Sequence, residues 1–312
     1  MRVLLVIATI ALVACLGISY GVYHEYTKAR TYNSDTLFVQ KGMGGRAIAQ
    51  EIKNQTETYP LVTLMLMKLA ITNPIHAGEY DLSDSPSFKT LFDRLNTQTT
   101  IKRSVTVPEG LTVYQVIELM KRNDHITDDC PDYKAMTEGS LLPETYGFIR
   151  GETCTSLLTR MGNAMTTILD ELWDKRDDSL PYKNKEDALI MASIIEKETG
   201  VASERARVAG VFVNRLNIGM PLQSDPTTIY ALTDGTGEME RELYRSDWKL
   251  AHPFNTYFIP ALPPAPIANP GKESIYAALH PEPHGYFYFM ATGTGGHDFA
   301  KTLDEHNRNV HK

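Results

Sequence analysis

The chain has 312 residues, 42% of them hydrophobic and 22% charged, and carries a formal net charge of −7. That length and balance supply one large hydrophobic core or two smaller ones and exclude a low-complexity or disordered protein. The acidic excess, with no run of Lys and Arg interleaved with aromatics, excludes the electrostatic footprint of a nucleic-acid-binding protein.

From Val3 to Val22 the chain reads VLLVIATIALVACLGISYGV without a charge. As a helix this stretch spans about 30 Å, the hydrocarbon thickness of a bilayer, so residues 1–23 are expected to be a transmembrane anchor. A cleavable signal peptide has a shorter apolar part and a small-residue cleavage site. A lipoprotein signal ending at Cys15 is disfavoured by the apolar sequence that continues beyond it. Arg2 stands on one side and Lys28 and Arg30 on the other, which specifies orientation weakly; one anchor with a long exported domain is the default. Residues 24–35 read as a polar tether.

Residues 36–98 are expected to form a small α+β module. VQKGMGGRAIAQEIK from Val39 aligns weakly with VPEGLTVYQVIELMK from Val107, placing Gly42 on Gly110 and Ile48 on Val116. Each copy reads as a short strand, a glycine turn and an amphipathic helix. Between them GEYDLSDSPSFKTLFDRL supplies a strand, a turn and a helix.

Residues 99–312 read as a larger mixed α+β domain. Cys130 and Cys154 are the cysteines outside the span. Paired in an oxidising compartment they would close a loop worth about 3 kcal/mol, and two unrelated thiols fit the sequence equally well. Asn184 can cap a helix whose next residues, KEDALIMASII, are apolar nearly all the way round, the pattern of a core helix. Ser203 can cap the next, with Val208, Val211, Phe212 and Leu216 as its inward stripe. Beyond it Pro, Gly, Asn and aromatics become dense, which suits loops and strands lining a cleft. Thr302 and Glu305 form a capping box for the final helix.

The core helix ends in SIIEKETG. Glu196 stands over Ala192 and Ser193, a small apolar face with room in front of it for a ligand. Glu198 points about 200° round the axis, so the two carboxylates cannot act as a side-by-side pair. By itself a charged helix end is most simply solvated. The sequence has no nucleophile elbow, no H-E-x-x-H, no P-loop and no paired C-x-x-C. Asp225 before Pro226 reads most simply as a helix N-cap, and His297 after GTGG as a hairpin histidine.

The stretches ASIIEKET, VFVNRLNIGMPLQSDPTTIY, NTYFIPALPPAPIANPG and GGHDFAKTLDEHN closely resemble the YceG-like family of endolytic murein lytic transglycosylases, and the resemblance covers nearly the whole chain. It implies a transmembrane helix, a LysM-like module over residues 36–98 and a catalytic domain over 99–312. It also implies residence in the inner membrane with the catalytic domain outside the cytoplasm. The reaction implied is cleavage of the β-1,4 bond between N-acetylmuramic acid and N-acetylglucosamine, leaving a 1,6-anhydro end and ending strand elongation. The catalytic acid of the family is carried over to Glu196, the first glutamate of E-K-E-T, while Glu198, Gln223, Asp225, Asn255 and Tyr257 are carried over as cleft-lining positions. The family calls for no metal and no cofactor; its partners are peptidoglycan glycan strands and cell-wall synthesis enzymes. One carboxyl can give and then take a proton, whereas a glycosidase uses two across the bond. The competing readings are a non-catalytic peptidoglycan-binding protein and a hydrolytic muramidase that recruits a second carboxylate such as Asp225.

Overall fold

The computed structural model describes residues 2–293 and 295–310. It divides into two compact units, Met1–Arg103 with Gly147–Glu152, and Ser104–Tyr146 with Thr153–Lys312. The expected boundary after residue 98 falls five residues short of that division, and a short return segment joins the first unit.

The first unit opens with α1 (Arg2–Thr27), which holds a stretch long enough to cross a bilayer with a mean hydropathy of 2.3 and none of that stretch buried. The helix outruns the expected anchor by four residues, and residues 28–35 are no free tether. The Arg30 guanidinium lies 3.8 Å over the Phe88 ring and donates to Glu25. Tyr32 donates its hydroxyl proton to the Pro86 carbonyl, and Asn33 its backbone N–H to that of Gln55. An arginine, a tyrosine and an asparagine with partners inside the unit are what hold these residues down. Next, β1 (Thr36–Val39) pairs antiparallel with β2 (Gly78–Asp81), Thr36 opposite Asp81 and Val39 opposite Gly78. Between the strands in sequence lie α2 (Gly45–Gln55) and α3 (Pro60–Ala70), and α4 (Phe88–Thr97) comes after β2. Leu37, Ile48, Ile52, Tyr80, Leu91 and Phe92 close the core. Helix α3 is the element that the sequence expectation lacks, because PLVTLMLMKLA is apolar on too many sides to show a period.

The second unit begins within β3 (Arg103–Thr106) and continues through α5 (Val113–Lys121), the first two residues of β4 (Thr145–Phe148) and α6 (Cys154–Trp173). Then come α7 (Lys185–Glu198), α8 (Arg205–Asn217), α9 (Asp225–Thr233) and α10 (Lys272–Leu279). A hairpin of β5 (Tyr288–Ala291) and β6 (His297–Ala300) leads into α11 (Leu303–Val310). The weak repeat has a structural basis. Gly42 and Gly110 both take left-handed backbone, φ 85° and 78°, and a helix starts three residues after each.

Helix α7 is the axis of this unit. Asn184 caps it by accepting the Asp187 N–H at 2.9 Å, and every residue from Ala188 to Ile195 is buried. It packs on α6, α8 and α10, with Met191, Ile194, Phe212, Ile275 and Leu279 in one cluster. That burial on all sides is why its sequence shows no polar face. Cys130 and Cys154 form a disulfide with Cα atoms 5.1 Å apart, which decides between the two readings left open by the sequence. The Thr302 and Glu305 capping box is closed from both ends. Ser203 does not cap α8: it lies in a short 3-10 turn, Ala202–Glu204, and Glu204 takes the cap position.

Candidate active site

The last turn of α7 sends two carboxylates into different surroundings. Glu196 accepts the Gly271 N–H at 2.9 Å, at the N-cap of α10, and its other oxygen lies 3.7 Å from Arg205. The same guanidinium reaches Glu109 at 3.3 Å. Burial, then the neighbouring Glu196, pushes the Glu109 carboxyl up, with Arg205 opposing. The Glu196 side chain keeps only 6% of its exposure. It is one post of a charged brace that ties α7 to the start of α10.

Glu198 leaves the helix on the other side. The residue is half-buried, and the protein packed round its carboxyl pushes that group up to about 7; the Ser224 hydroxyl works against this, Asp225 adds to it, and His297 and Arg215 subtract. Removal from water penalises the charged form of an acid, so this group holds its proton near neutrality. Ser224 is 1% exposed, and its Oγ completes no hydrogen bond of ordinary geometry among the described residues. A polar hydroxyl with no closed partner therefore stands beside a protonatable carboxyl.

The wall facing Glu198 is built by the start of α9 and the loop over residues 248–257. Asp225 is exposed and is the first residue of α9, so it is not the N-cap that the Asp-Pro pair suggested; Ser224 holds that position. One oxygen of Asp225 accepts both the Trp248 indole N–H at 2.9 Å and the Tyr257 hydroxyl at 2.8 Å. The two rings stack, centroids 5.1 Å apart and planes 15° from parallel. Gln223 is exposed and takes left-handed backbone at φ 51°, a conformation that costs a non-glycine residue energy and clusters at functional sites. Its N–H is held by the Thr256 carbonyl, and the Ser224 N–H by the Thr256 hydroxyl at 2.9 Å.

Asn255 serves differently from the expectation. It is wholly buried; its amide nitrogen donates to the Trp248 and Leu250 carbonyls, and its oxygen accepts from Thr228 and from the Tyr257 N–H. With both ends of its amide engaged, it shapes the wall and offers nothing to a ligand. His297 opens β6 opposite Ala291, with its N–H and Nδ1 on the Glu204 carboxylate, as a hairpin histidine.

Five of the six sequence-derived positions thus form one connected set, Glu198, Gln223, Asp225, Asn255 and Tyr257. Among the described residues Glu196 shares no hydrogen-bond or ion-pair partner with them. Sequence reasoning missed Trp248 and Ser224. The signal for Trp248 was its rarity, one of two tryptophans in the chain, set in the polar run SDWKL. The assembled arrangement is a single desolvated acid, a stacked aromatic face and exposed amide and carboxylate groups. Flat aromatic faces with neutral hydrogen-bonding groups suit a sugar ring.

Residues 37–312 match the YceG-like family. An endolytic murein transglycosylase of Bacillus subtilis is 31% identical over 299 residues, 93% of this chain and 75% of that protein. One from Streptococcus pneumoniae is 28% identical over 280 residues, 76% of this chain, and the chain spans half of its length. The crystal structure of a yceG-like protein from Listeria monocytogenes aligns with a TM-score of 0.52 at 28% identity, covering 89% of this chain and 99% of that one.

Proposed function

The chain belongs to the YceG-like family, and from that premise we propose that it is an endolytic lytic transglycosylase of peptidoglycan in which Glu198 is the acid and then the base. The observation that carries this reading is the Glu198 carboxyl, half-buried at the end of α7, pushed up to about 7 and set against the Ser224 and Asp225 wall. Protonated, it gives its proton to the glycosidic oxygen between N-acetylmuramic acid and N-acetylglucosamine. The carboxylate so formed takes the proton from the C6 hydroxyl of the muramic acid, whose oxygen attacks the anomeric carbon. The glycosidic bond breaks, a 1,6-anhydro bond forms, and the carboxyl ends protonated as it began. No water enters, so no second carboxylate is needed to activate one. Trp248 and Tyr257 present the face on which a sugar ring rests, and Gln223 offers an amide to its polar groups.

In this reading α1 is a single-pass anchor and the rest of the chain is exported. The disulfide supports that side of the membrane, because such bonds persist in oxidising compartments. The first unit is a LysM-like module that holds glycan close to the bilayer, where new strands emerge.

The test uses the purified full chain in detergent, uncrosslinked glycan strands and mass spectrometry of the products. Anhydro-ended fragments, one water lighter than hydrolysis products, are expected, and Glu198→Gln abolishes them. Fragments carrying the extra water identify a muramidase, and no fragments at all identify a binding protein. Cleavage kept by Glu198→Gln and lost in Glu196→Gln returns the acid to the position that the family resemblance implied.

A further inference from the structure

Helix α3 turns its apolar side outward. Leu61, Met65 and Leu69 are 76%, 65% and 79% exposed, Val62 is 44% exposed, and Tyr59 just before the helix is 81% exposed. At 100° per residue these four helical positions share an arc of about 100°. The opposite side, Thr63, Leu66 and Met67, is buried in the first unit. Soluble monomers seldom leave a contiguous apolar face of this kind open to water.

The neighbourhood of α3 says what covers that face. A cavity of about 570 Å³ joins Lys28, Arg30 and Asn33, which leave α1, to Lys53, Glu57 and Thr58, which lead into α3. The start of α3 therefore lies beside the chain emerging from the apolar span. Lys28 and Arg30 share Glu25, and Glu57 is the carboxylate that lines the cavity. Lys53 has no ion-pair partner among the described residues, and exposed Lys68 flanks the apolar arc of α3. An apolar stripe with Lys68 at its edge, entered through a tyrosine beside a lysine-lined cavity, is the pattern of a helix lying in the headgroup layer.

We propose that the exposed face of α3 rests in the headgroup region of the same phospholipid bilayer that α1 enters, with Lys53 and Lys68 on lipid phosphates. This rests on the reading of α1 as an anchor. It makes the first unit a membrane-lying module that fixes its own height above the bilayer.

The experiment reconstitutes the full chain in vesicles of phosphatidylethanolamine and phosphatidylglycerol. Cys15 is the free cysteine of the span among the described residues, so labelling it with an environment-sensitive fluorophore reports α1. In a Cys15→Ser background, the same label on Met65→Cys reports α3. A blue-shifted emission at position 65, quenched several-fold by shallow nitroxide lipids and returned to the water value by Leu61→Glu with Leu69→Glu, is the expected result. A water-like emission at 65 with a lipid-embedded Cys15 overturns the proposal and leaves the anchor standing. A water-like Cys15 removes the anchor and the proposal together. A shift at 65 that appears only at high protein-to-lipid ratio means that a second copy covers the face, and it also overturns the proposal.

Discussion

Glu196 and Glu198 leave one helical turn toward different neighbours: the first accepts the N–H of Gly271 at the head of α10, the second is packed against Ser224 and Asp225. Two carboxylates two residues apart are therefore set in different surroundings by the elements on either side of α7.

If Glu196 is a brace, its removal is a stability event. Glu196→Gln keeps an acceptor for the Gly271 N–H and removes the charge beside Arg205, at a cost of about 1 kcal/mol; Glu196→Ala strands the N–H as well and costs about 1–3 kcal/mol. Urea unfolding of the two variants gives these differences, and glycan cleavage within tenfold of the parent is expected once both are folded. A loss of cleavage in Glu196→Gln at unchanged stability contradicts the assignment.

If Glu198 is the acid, it sets the pH dependence. Its ordinary carboxyl value of 4.5 is raised to about 7 in the fold, so the proton that the reaction needs is present below 7 and lost above it. Cleavage rates are expected to be level below about pH 6 and to fall tenfold per unit well above 7. Stability moves in the same sense. Between 4.5 and 7 the folded chain holds a proton that the unfolded chain has released, so stability declines as pH rises across that window, by up to about 3 kcal/mol in all. The slope should vanish in Glu198→Gln, and a profile centred near 4.5 would show the wrong carboxyl has been chosen.

The stacked pair Trp248 and Tyr257 makes a prediction about binding separate from chemistry. Removing an aromatic face that carries a sugar ring costs about 1–2 kcal/mol of binding, a factor of roughly ten in KM. Trp248→Ala is expected to raise KM by that factor with little change in kcat. Trp248→Phe, which keeps a face and gives up the indole N–H to Asp225, should recover most of it. A kcat effect without a KM effect would place the indole elsewhere in the reaction.

How much the sequence discloses depends on how local each signal is. Helix α7 is legible because a capping Asn184 followed by eight buried residues is a property of one segment. The divergence of Glu196 and Glu198 is legible too, since it needs only the helical angle. Which of the two meets the wall is not, because that depends on where α9 and the loop bearing Trp248 and Tyr257 pack, a relationship spread over some sixty residues of chain. Asn255 is misread for the same reason: a polar residue in a loop reads as free until the carbonyls of Trp248 and Leu250 are seen to consume its amide. Helix α3 escapes because periodicity marks a helix with a wet side and a dry side, and its outward face is apolar.

The path from α8 to the terminal hairpin depends on a glycine that sequence alone presents as a defect. Gly210 lies inside α8, where glycine costs about 1 kcal/mol relative to alanine, so Gly210→Ala would stabilise an isolated helix. Here a Cβ would fall 2.4 Å from the Glu282 carbonyl oxygen and 2.7 Å from the His284 ring. The ring can turn away but the carbonyl is backbone, and forcing a methyl into such a contact costs about 1–3 kcal/mol. The carbonyls of His284 and Tyr286 are both held by the Asn214 amide one turn further along α8, so the displaced segment cannot swing out freely. Gly210→Ala is therefore expected to lower the unfolding midpoint, and adding His284→Ala should not restore it. A midpoint raised by Gly210→Ala would mean the helix-propensity gain outweighs the contact and that this segment gives way more easily than its hydrogen bonds imply.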